Sequence, residues 1–299
     1  MKFLITGSNG LLGQKIVRQL LKENIHFIGT SKGENRNPDL PDSHFKSMDI
    51  TDKENTFSVV SEFKPDVIIH TAAMTNVDAC ETNPETCQMI NVTGTKNCFE
   101  AAKTIGAQLV SLSTDFVFDG ENGPYKEEDK RNPLSIYAKS KVDAEDLLIE
   151  ADYRNWSIIR TIIVFGKGNN LSRSNIVLWA HEALQSGKEL TIVNDQFRAP
   201  TWADDLAWAC IESGKRNAKG IYHISGPKTY SIFDLVLEIG KFHNMPIDNI
   251  EPISSTSLNQ AAKRPPRTGF ILDKAMNELG YKPKTFAQAL EALGLQAND

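Results

Sequence analysis

The first thirteen residues constrain the fold more than any other part of the chain. A short apolar strand, Phe3 to Thr6, runs directly into Gly7-x-x-Gly10-x-x-Gly13, and apolar residues at helical spacing follow. A glycine turn between a strand and a helix presents unpaired backbone N–H groups to an anion, so this order predicts a dinucleotide diphosphate site. Gly7 would make the tight turn, Gly10 would let the cofactor approach the backbone, and Gly13 would let the helix pack on the strand.

Length and composition exclude several classes of protein. A chain of 299 residues can hold one large α/β domain or a main domain with a smaller cap. The net charge of −5 argues against a general nucleic-acid or anionic-membrane surface. The four cysteines form no Cys-x-x-Cys pair, so we expect buried or incidental thiols. With neither a signal peptide nor a membrane span in the sequence pattern, we expect a cytoplasmic protein.

Strands and helices alternate along the chain, which predicts successive βαβ units. We expect six strands, at 3–6, 25–30, 45–49, 67–70, 108–113 and 156–161, with 221–224 rejoining as a seventh. The helix after the fifth strand is expected to begin at Pro133, with Asn132 as its N-cap. The pattern predicts an α/β fold with a Rossmann-type doubly wound parallel sheet. The dinucleotide-binding domain would span 1–164, with about 200–226 returning to it, and a smaller, discontinuous substrate-binding lobe would take most of 165–299.

Three residues in the middle of the chain match a proton-transfer unit. Tyr137 and Lys141 are four residues apart on one helix and therefore share a face. Thr114 ends the fifth strand, at the edge of a parallel sheet where ligands bind. A nearby ammonium would lower the pKa of the phenol, and the Thr114 hydroxyl could hold a substrate oxygen against Tyr137. Tyr-x-x-x-Lys alone occurs often by chance, so the prediction depends on its agreement with Thr114 and the glycine motif.

These motifs together resemble an extended short-chain dehydrogenase/reductase. Within that superfamily the chain is similar, nearly end to end, to the dTDP-4-dehydrorhamnose reductase family. The resemblance lies in the glycine motif, Asn91, Ser113-Thr114-Asp115, the segment 70–78, Tyr137-x-x-x-Lys141, and the segments 195–201 and 263–267. It implies reduction of the C4 keto group of a nucleotide-activated 4-keto-6-deoxy sugar, in the simplest case dTDP-4-dehydro-L-rhamnose, for cell-surface polysaccharide synthesis. Hydride would come from the cofactor and a proton from Tyr137.

Cofactor preference is read from the end of the second strand. Lys32 and Arg36 follow this strand with no carboxylate before Glu34, which predicts NADPH, with NADH as the alternative and solvated loop charges as the competing interpretation. Asp49-Ile50 is expected to flank the adenine. The residues predicted or implied to bind the cofactor are Gly7, Ser8, Asn9, Gly10, Leu11, Leu12, Gly13, Thr30, Ser31, Lys32, Arg36, Asp49, Ile50, Thr71, Ala72, Ala73, Met74, Thr75, Asn91, Ser113, Tyr137 and Lys141.

Arginines toward the C-terminus are candidates for binding the diphosphate of a nucleotide-sugar substrate. Arg198 and Arg264 present guanidinium groups that bind phosphate oxygens bidentately, and Arg198 stands where the resembling family commonly has glycine. Ile163 replaces a family tryptophan, so one pocket wall should be more apolar and another more cationic. The predicted substrate-binding residues are Thr114, Asp115, Ile163, Gln196, Arg198 and Arg264. No residue cluster has metal-ligand spacing, so no metal is predicted, and His70 is expected to pack in the core.

Two alternatives remain open from the sequence. One is another enzyme on the same scaffold, an epimerase or a reductase of a different nucleotide sugar. The other is a cofactor-binding regulatory subunit without turnover, because segments 196–201 and 223–226 also resemble the β subunit of methionine adenosyltransferase. Similar enzymes are frequently homodimers, and the resemblance therefore favours a homodimer.

Overall fold

A computed structural model describes residues 1–295. The strands are β1 (Lys2–Thr6), β2 (His26–Ser31), β3 (Phe45–Ser47), β4 (Val67–His70), β5 (Gln108–Thr114), β6 (Trp156–Thr161), β7 (Val164–Phe165), β8 (Leu190–Val193), β9 (Phe197–Arg198), β10 (Thr201–Trp202), β11 (Gly220–Ile224), β12 (Tyr230–Ser231) and β13 (Ile250–Ile253). The helices are α1 (Leu11–Lys22), α2 (Lys53–Phe63), α3 (Val77–Thr82), α4 (Pro84–Gln88), α5 (Gly94–Ile105), α6 (Ile136–Ile149), α7 (Ile176–Gln185), α8 (Ala203–Lys215), α9 (Ile232–Phe242) and α10 (Phe286–Leu293).

Seven parallel strands form the main sheet in the order β11-β6-β5-β4-β1-β2-β3. The central strands are apolar on both faces: Phe3, Leu4 and Ile5 in β1 have no exposed surface. Such continuous apolar strands are typical of a parallel sheet covered by helices on both sides. The predicted doubly wound α/β fold is confirmed, and so is the seventh strand, because β11 pairs with β6 along its whole length.

Two apolar layers hold helices against the sheet. Helices α1 and α8 pack on one face through side chains such as Ile16, Leu20 and Leu206. On the other face α2 and α5 pack through side chains that include Val60 and Phe99. Full burial of each such side chain stabilises the fold by about 1.5–3 kcal/mol. Because both faces are covered, only the ends of the strands are free to form a site.

A third core lies in the segments that follow β6. It joins α7, α9 and α10 around Phe165 and Trp202. Three two-stranded sheets, β10 with β7, β12 with β9 and β13 with β8, brace this part. The chain therefore leaves the main sheet after β6 and returns to it at β11. The domain bounds 1–164 and 165–299 stay a prediction, and residues 296–299 lie outside the described part of the chain.

The helix that carries Tyr137 begins later than predicted. It starts at Ile136, and Ser135 caps it by accepting a hydrogen bond from the Ala138 N–H at 3.2 Å. Asn132 does not cap it, because its side-chain amide donates to Asp119 instead, at 3.0 Å. Helices α4 and α5 form one continuous helical stretch, and a π-helical turn at Met89–Thr93 separates them.

Candidate active site

The glycine turn after β1 forms a cradle at the start of α1. Gly7 adopts φ +70°, and its carbonyl accepts a hydrogen bond from the Gly10 N–H at 2.9 Å. A Cβ at Gly13 would lie 2.3 Å from the Gly7 carbonyl oxygen, so helix and strand meet too closely for any side chain. A Cβ at Gly10 would meet only that oxygen, at 3.3 Å, and no side chain caps α1. The free N–H groups and the open approach fit a diphosphate.

A cleft of about 480 Å³ opens from this cradle along the carboxyl ends of β1, β2 and β4. Eleven of the predicted cofactor residues line it. They are Gly7, Asn9, Gly10, Ser31, Lys32, Arg36, Asp49, Ile50, Thr71, Ala72 and Ala73. The sequence reasoning missed other lining residues, namely Thr6, Met48, Thr51, Thr86, Met89 and Ile90.

Several predicted cofactor residues lie behind the cleft wall rather than on it. Ser8 and Thr30 have no exposed surface, and the Thr30 hydroxyl donates to the Ile5 carbonyl at 3.2 Å. Asn91 is buried and bonds both the N–H and the carbonyl of Met74, at 2.8 and 3.1 Å. These side chains shape the loops that form the cleft. Other predicted residues that do not line it are Leu11, Leu12, Gly13, Met74, Thr75 and Ser113.

Basic side chains stand at the far end of the cleft, as predicted for a 2′-phosphate. The Lys32 ammonium is exposed and pairs with Asp49 at 2.8 Å. Arg36 is also exposed, and its backbone N–H donates to the Asn9 side chain at 2.8 Å. Because Lys32 is paired with Asp49, Arg36 is the freer of the two cations.

Thr114, Tyr137 and Lys141 come together where α6 packs against the end of β5. Tyr137 and Lys141 lie one turn apart on α6 and are both buried. Tyr137 packs with Cys80, Cys87 and the ring of Phe116, whose centroid is 6.1 Å away. Tyr137 and Lys141, which were also predicted to bind the cofactor, do not line the 480 Å³ cleft, and neither does Thr114. The link to the cleft is Met74, which follows the lining residue Ala73 and packs in the same cluster as Tyr137.

Burial dominates the protonation of these groups. It raises the pKa of the Tyr137 phenol well above its usual value; Thr114 opposes this rise and Asp115 adds to it. From the sequence, Lys141 was expected to lower this pKa; in the structure burial dominates, the nearby acidic groups add to the rise, and the opposing contribution comes from Thr114. Burial also lowers the pKa of Lys141 to about 8, although Glu145 raises it. At neutral pH the phenol therefore holds its proton.

Comparisons with known proteins agree with this geometry. The RmlD substrate binding domain family matches residues 1–297. The chain belongs to the RmlD substrate-binding-domain family. A dTDP-4-dehydrorhamnose reductase of Aggregatibacter actinomycetemcomitans is 32% identical over 97% of each chain. A crystal structure of dTDP-4-dehydrorhamnose reductase from Bacillus anthracis in complex with NADP is 28% identical, covers 98% of each chain and has a TM-score of 0.84.

A relative with a different activity in its name also matches most of this RmlD-family chain. The methionine adenosyltransferase 2 subunit beta of Bos taurus is 28% identical over 95% of this chain and 84% of its own length. The predicted extended short-chain dehydrogenase/reductase family and the oxidoreductase class are confirmed by the reductase relatives. The NADP cofactor also agrees with the solved Bacillus anthracis complex.

Arg198 and Arg264 do not present free guanidinium groups. Arg198 is 3% exposed, and its side chain donates to the carbonyls of Phe197 and Pro265, each at 2.7 Å. Arg264 pairs with Asp78 at 2.5 Å. The expected cationic wall is therefore neutralised by internal partners, because segments distant in sequence close over both side chains. Diphosphate binding by these residues stays a prediction.

The remaining predicted substrate residues flank the ends of β6 and β9. Ile163 has φ +31°, a left-handed conformation that β-branched residues rarely adopt. The Thr201 N–H supports this turn by donating to the carbonyls of Ile162 and Ile163, both at 3.1 Å. Gln196 is buried, and its carbonyl accepts from the Ile232 N–H at 2.9 Å. Ile163 is half-buried at the sheet edge, where a substrate would meet an apolar wall.

Glu145 is the residue near the site that the sequence reasoning missed. It lies one turn after Lys141, and its carboxylate accepts hydrogen bonds from Arg160 at 2.7 and 2.8 Å and from Arg131 at 3.0 Å. The spacing 137, 141 and 145 places all three side chains on one helix face, which is a signal that could have revealed it. Glu145 joins α6 to β6 beneath the catalytic residues.

His70 is buried as predicted, with Thr6 at 2.8 Å and Thr95 at 3.1 Å from its two ring nitrogens. All four cysteines are free and buried. Between residues 1 and 295 no helix combines the length and apolar character needed to cross a bilayer. The same described residues contain no group of three or more His, Cys, Asp or Glu side chains arranged to hold a metal ion.

Proposed function

We propose that this protein uses NADPH to reduce the C4 keto group of a nucleotide-activated 4-keto-6-deoxy sugar, with dTDP-4-dehydro-L-rhamnose as the leading substrate. The observation that carries this proposal is the packing of Thr114 against Tyr137, one turn before Lys141 on α6, at the same carboxyl edge of the parallel sheet as the glycine-lined cleft. The reductase names of relatives at about 30% identity support the reaction class. The product would serve cell-surface polysaccharide synthesis.

The protein's own residues would hold the reactants and deliver one proton. NADPH, when bound, supplies the hydride for the C4 carbon. Tyr137 would donate its phenolic proton to the C4 oxygen, and its raised pKa keeps that proton available at neutral pH. The Lys141 ammonium would then stabilise the phenolate, and the pKa of about 8 keeps most of this charge at neutral pH. The buried setting of both residues excludes water from the transfer.

The test is a panel of nucleotide 4-ketosugars with NADPH and NADH, followed by loss of reduced-cofactor absorbance. We expect turnover with at least one sugar, and a higher kcat/KM with NADPH because Lys32 and Arg36 stand where a 2′-phosphate would lie. Equal or better use of NADH would contradict the cofactor assignment. Arg36→Ala should reduce the preference for NADPH more than Lys32→Ala, because Asp49 already neutralises Lys32.

Replacing the proton donor tests the assigned chemistry. Tyr137→Phe should lower kcat by about a hundred- to ten-thousand-fold while NADPH affinity stays close to that of the wild type. Tyr153→Phe is the matched control, because that phenol donates to the Ala107 carbonyl at 2.8 Å and accepts from the Asn155 amide at 3.3 Å, and it does not line the cleft. Near-wild-type turnover by Tyr137→Phe would eliminate Tyr137 as the donor.

The similarity to methionine adenosyltransferase 2 subunit beta favours a second candidate, a regulatory subunit that binds the cofactor without turnover. The same panel separates the two candidates. A regulatory subunit would bind NADPH tightly, oxidise it with none of the sugars, and show the same behaviour after Tyr137→Phe.

A further inference from the structure

Asp115 follows the catalytic Thr114 and is almost fully enclosed. Its side chain is about 3% exposed, although an isolated carboxylate is costly to bury. One carboxylate oxygen accepts a hydrogen bond from the Thr114 hydroxyl at 3.1 Å. The other accepts one from the Thr268 hydroxyl and lies 3.7 Å from Nε of Arg198. Asp115 therefore faces partners from three separate parts of the chain.

Two of these partners come from segments far along the sequence that are bonded to each other. Arg198 in β9 donates to the Pro265 carbonyl at 2.7 Å, and the Phe197 N–H donates to the Pro266 carbonyl at 2.7 Å. The Thr268 N–H returns a bond to the Phe197 carbonyl at 3.0 Å. The segment 265–268 and β9 thus reach Asp115 as one unit.

The hydrogen bond to Asp115 limits what the Thr114 hydroxyl can offer to other groups. A threonine hydroxyl has one proton, and Thr114 directs it to Asp115. The Thr114 oxygen also accepts from the Phe116 N–H at 3.2 Å. While its proton is on Asp115, what remains at Thr114 is a lone pair, which can accept a hydrogen bond from the protonated phenol. To donate to a phenolate, the interaction by which Thr114 lowers the Tyr137 pKa, the hydroxyl must first turn away from Asp115. The sequence reasoning had Thr114 bonding the substrate oxygen, whereas in the structure its proton is already directed elsewhere.

We propose that Asp115 is a positioning residue: held by Thr268 and Arg198, it fixes the Thr114 hydroxyl as an acceptor that keeps the Tyr137 phenol aimed at the substrate site. Docking of the segment 265–268 is thereby coupled to the chemistry at Tyr137. Before the keto oxygen arrives, Thr114 accepts from the phenol, and the keto oxygen then takes its place. The role at Tyr137 rests on the proposed reductase function.

Thr268 offers the cleanest test, because it has no exposed surface and its hydroxyl donates to Asp115. Thr268→Val removes the hydroxyl while keeping the shape, and Thr268→Ser restores it. We expect Thr268→Val to lower kcat roughly tenfold with KM for NADPH unchanged, and Thr268→Ser to stay near the wild type. Ser213→Ala is the control: its buried hydroxyl bonds Ser157 at 2.8 Å near the opposite end of β6. Unchanged kcat in Thr268→Val, or an equal loss in Ser213→Ala, would overturn the proposal.

The pH profile distinguishes positioning from a general loss of packing. Burial raises the pKa of Asp115, and Arg198 and Thr268 oppose that rise. The charged or titratable groups that act on this cluster are Arg198, Tyr137 and, through Arg198, Arg264. Removing the Thr268 hydroxyl should move the acid limb of kcat to higher pH, which a purely structural role would not do.

A readout independent of turnover uses a double-mutant cycle. Thr114→Val and Thr268→Val should be non-additive in the thermal unfolding of the full chain, because both hydroxyls bond the same carboxylate. Additive effects, or loss of folding in both single variants, would refute the positioning role. Failure of the proposed function would appear in the wild type, as absence of turnover with every sugar, and would leave this cycle unaffected.

Discussion

Two buried carboxylates lie close to Tyr137 and Lys141, and they are held in opposite ways. Glu145, on α6 itself, accepts bonds from Arg160 and Arg131 at 2.7 to 3.0 Å. Asp115 lies at the joint with the segments after β6 and has one arginine, Arg198, at 3.7 Å. Burial raises the pKa of both, but the two arginines leave the pKa of Glu145 below its usual value, while that of Asp115 stays raised.

The two carboxylates differ in the elements that they connect. The Glu145–Arg160 ion pair is called the anchor below. The Glu145–Arg160 pair connects α6 to β6, two elements of the main sheet and its cover, with bidentate geometry. Asp115 depends on hydroxyls and on one distant guanidinium supplied by the later segments. The contacts of Asp115 depend on the position of the later segments, whereas the bidentate pair of Glu145 lies within the main sheet and its covering helix. We therefore expect Glu145 to contribute more to stability and Asp115 to the proposed proton transfer.

Removing the charge of Glu145 should have the largest effect. Glu145→Gln leaves the buried Arg160 without its counterion, while Arg131 keeps Asp146 at 2.6 Å, and should lower the free energy of unfolding by about 3–5 kcal/mol. Asp115→Asn should cost less, about 1–2 kcal/mol, because it loses charge-assisted hydrogen bonds but no close ion pair. Urea unfolding of both variants measures the difference. An equal loss in the two would erase the distinction between them.

The contributions of the two carboxylates to the free energy of unfolding should change in opposite directions as the pH falls. Because the pKa of Glu145 is lowered in the folded protein, its stabilising contribution is complete above pH 4.5 and is lost as the pH falls through that lowered pKa. With a raised folded pKa, Asp115 carries a cost that is complete above that value and disappears below 3.8. As pH falls, the wild type should lose its advantage over Glu145→Gln and gain relative to Asp115→Asn. Denaturant unfolding across a pH series checks both slopes; slopes of the same sign would contradict the assignment.

The smallest effect on the free energy of unfolding is expected at an exposed ion pair on the same helix. Lys139 pairs with Asp143 at 3.1 Å, and the Lys139 side chain is 67% exposed. Lys139→Ala should change the free energy of unfolding by less than about 0.5 kcal/mol, because water and salt screen exposed pairs. If it cost as much as Glu145→Gln, burial would not be what distinguishes the anchor.

Features encoded by local spacing could be predicted from the sequence. The glycine turn depends on one strand–turn–helix and the Tyr137–Lys141 pair on one helix face, and the structure has both features at the carboxyl edge of the main sheet. The predicted start of α6 was wrong because the sequence offers two capping residues close together. Ser135, and not Asn132, accepts the hydrogen bond at the helix N-terminus. Arg198 was expected to be free in the pocket, but it is buried against the Pro265 carbonyl, 67 residues away. No local sequence pattern reports such a contact.

The order in which the polypeptide is synthesised has a consequence for when this protein first becomes competent. Edge strand β11 follows the excursion after β6, and Thr268 follows β11 by more than forty residues. A ribosome-bound nascent chain can assemble the first six strands early, yet it lacks the carboxylate's last partner until Thr268 has emerged. Translation therefore completes the cofactor cradle well before it completes the contacts that the proposed role of Asp115 requires.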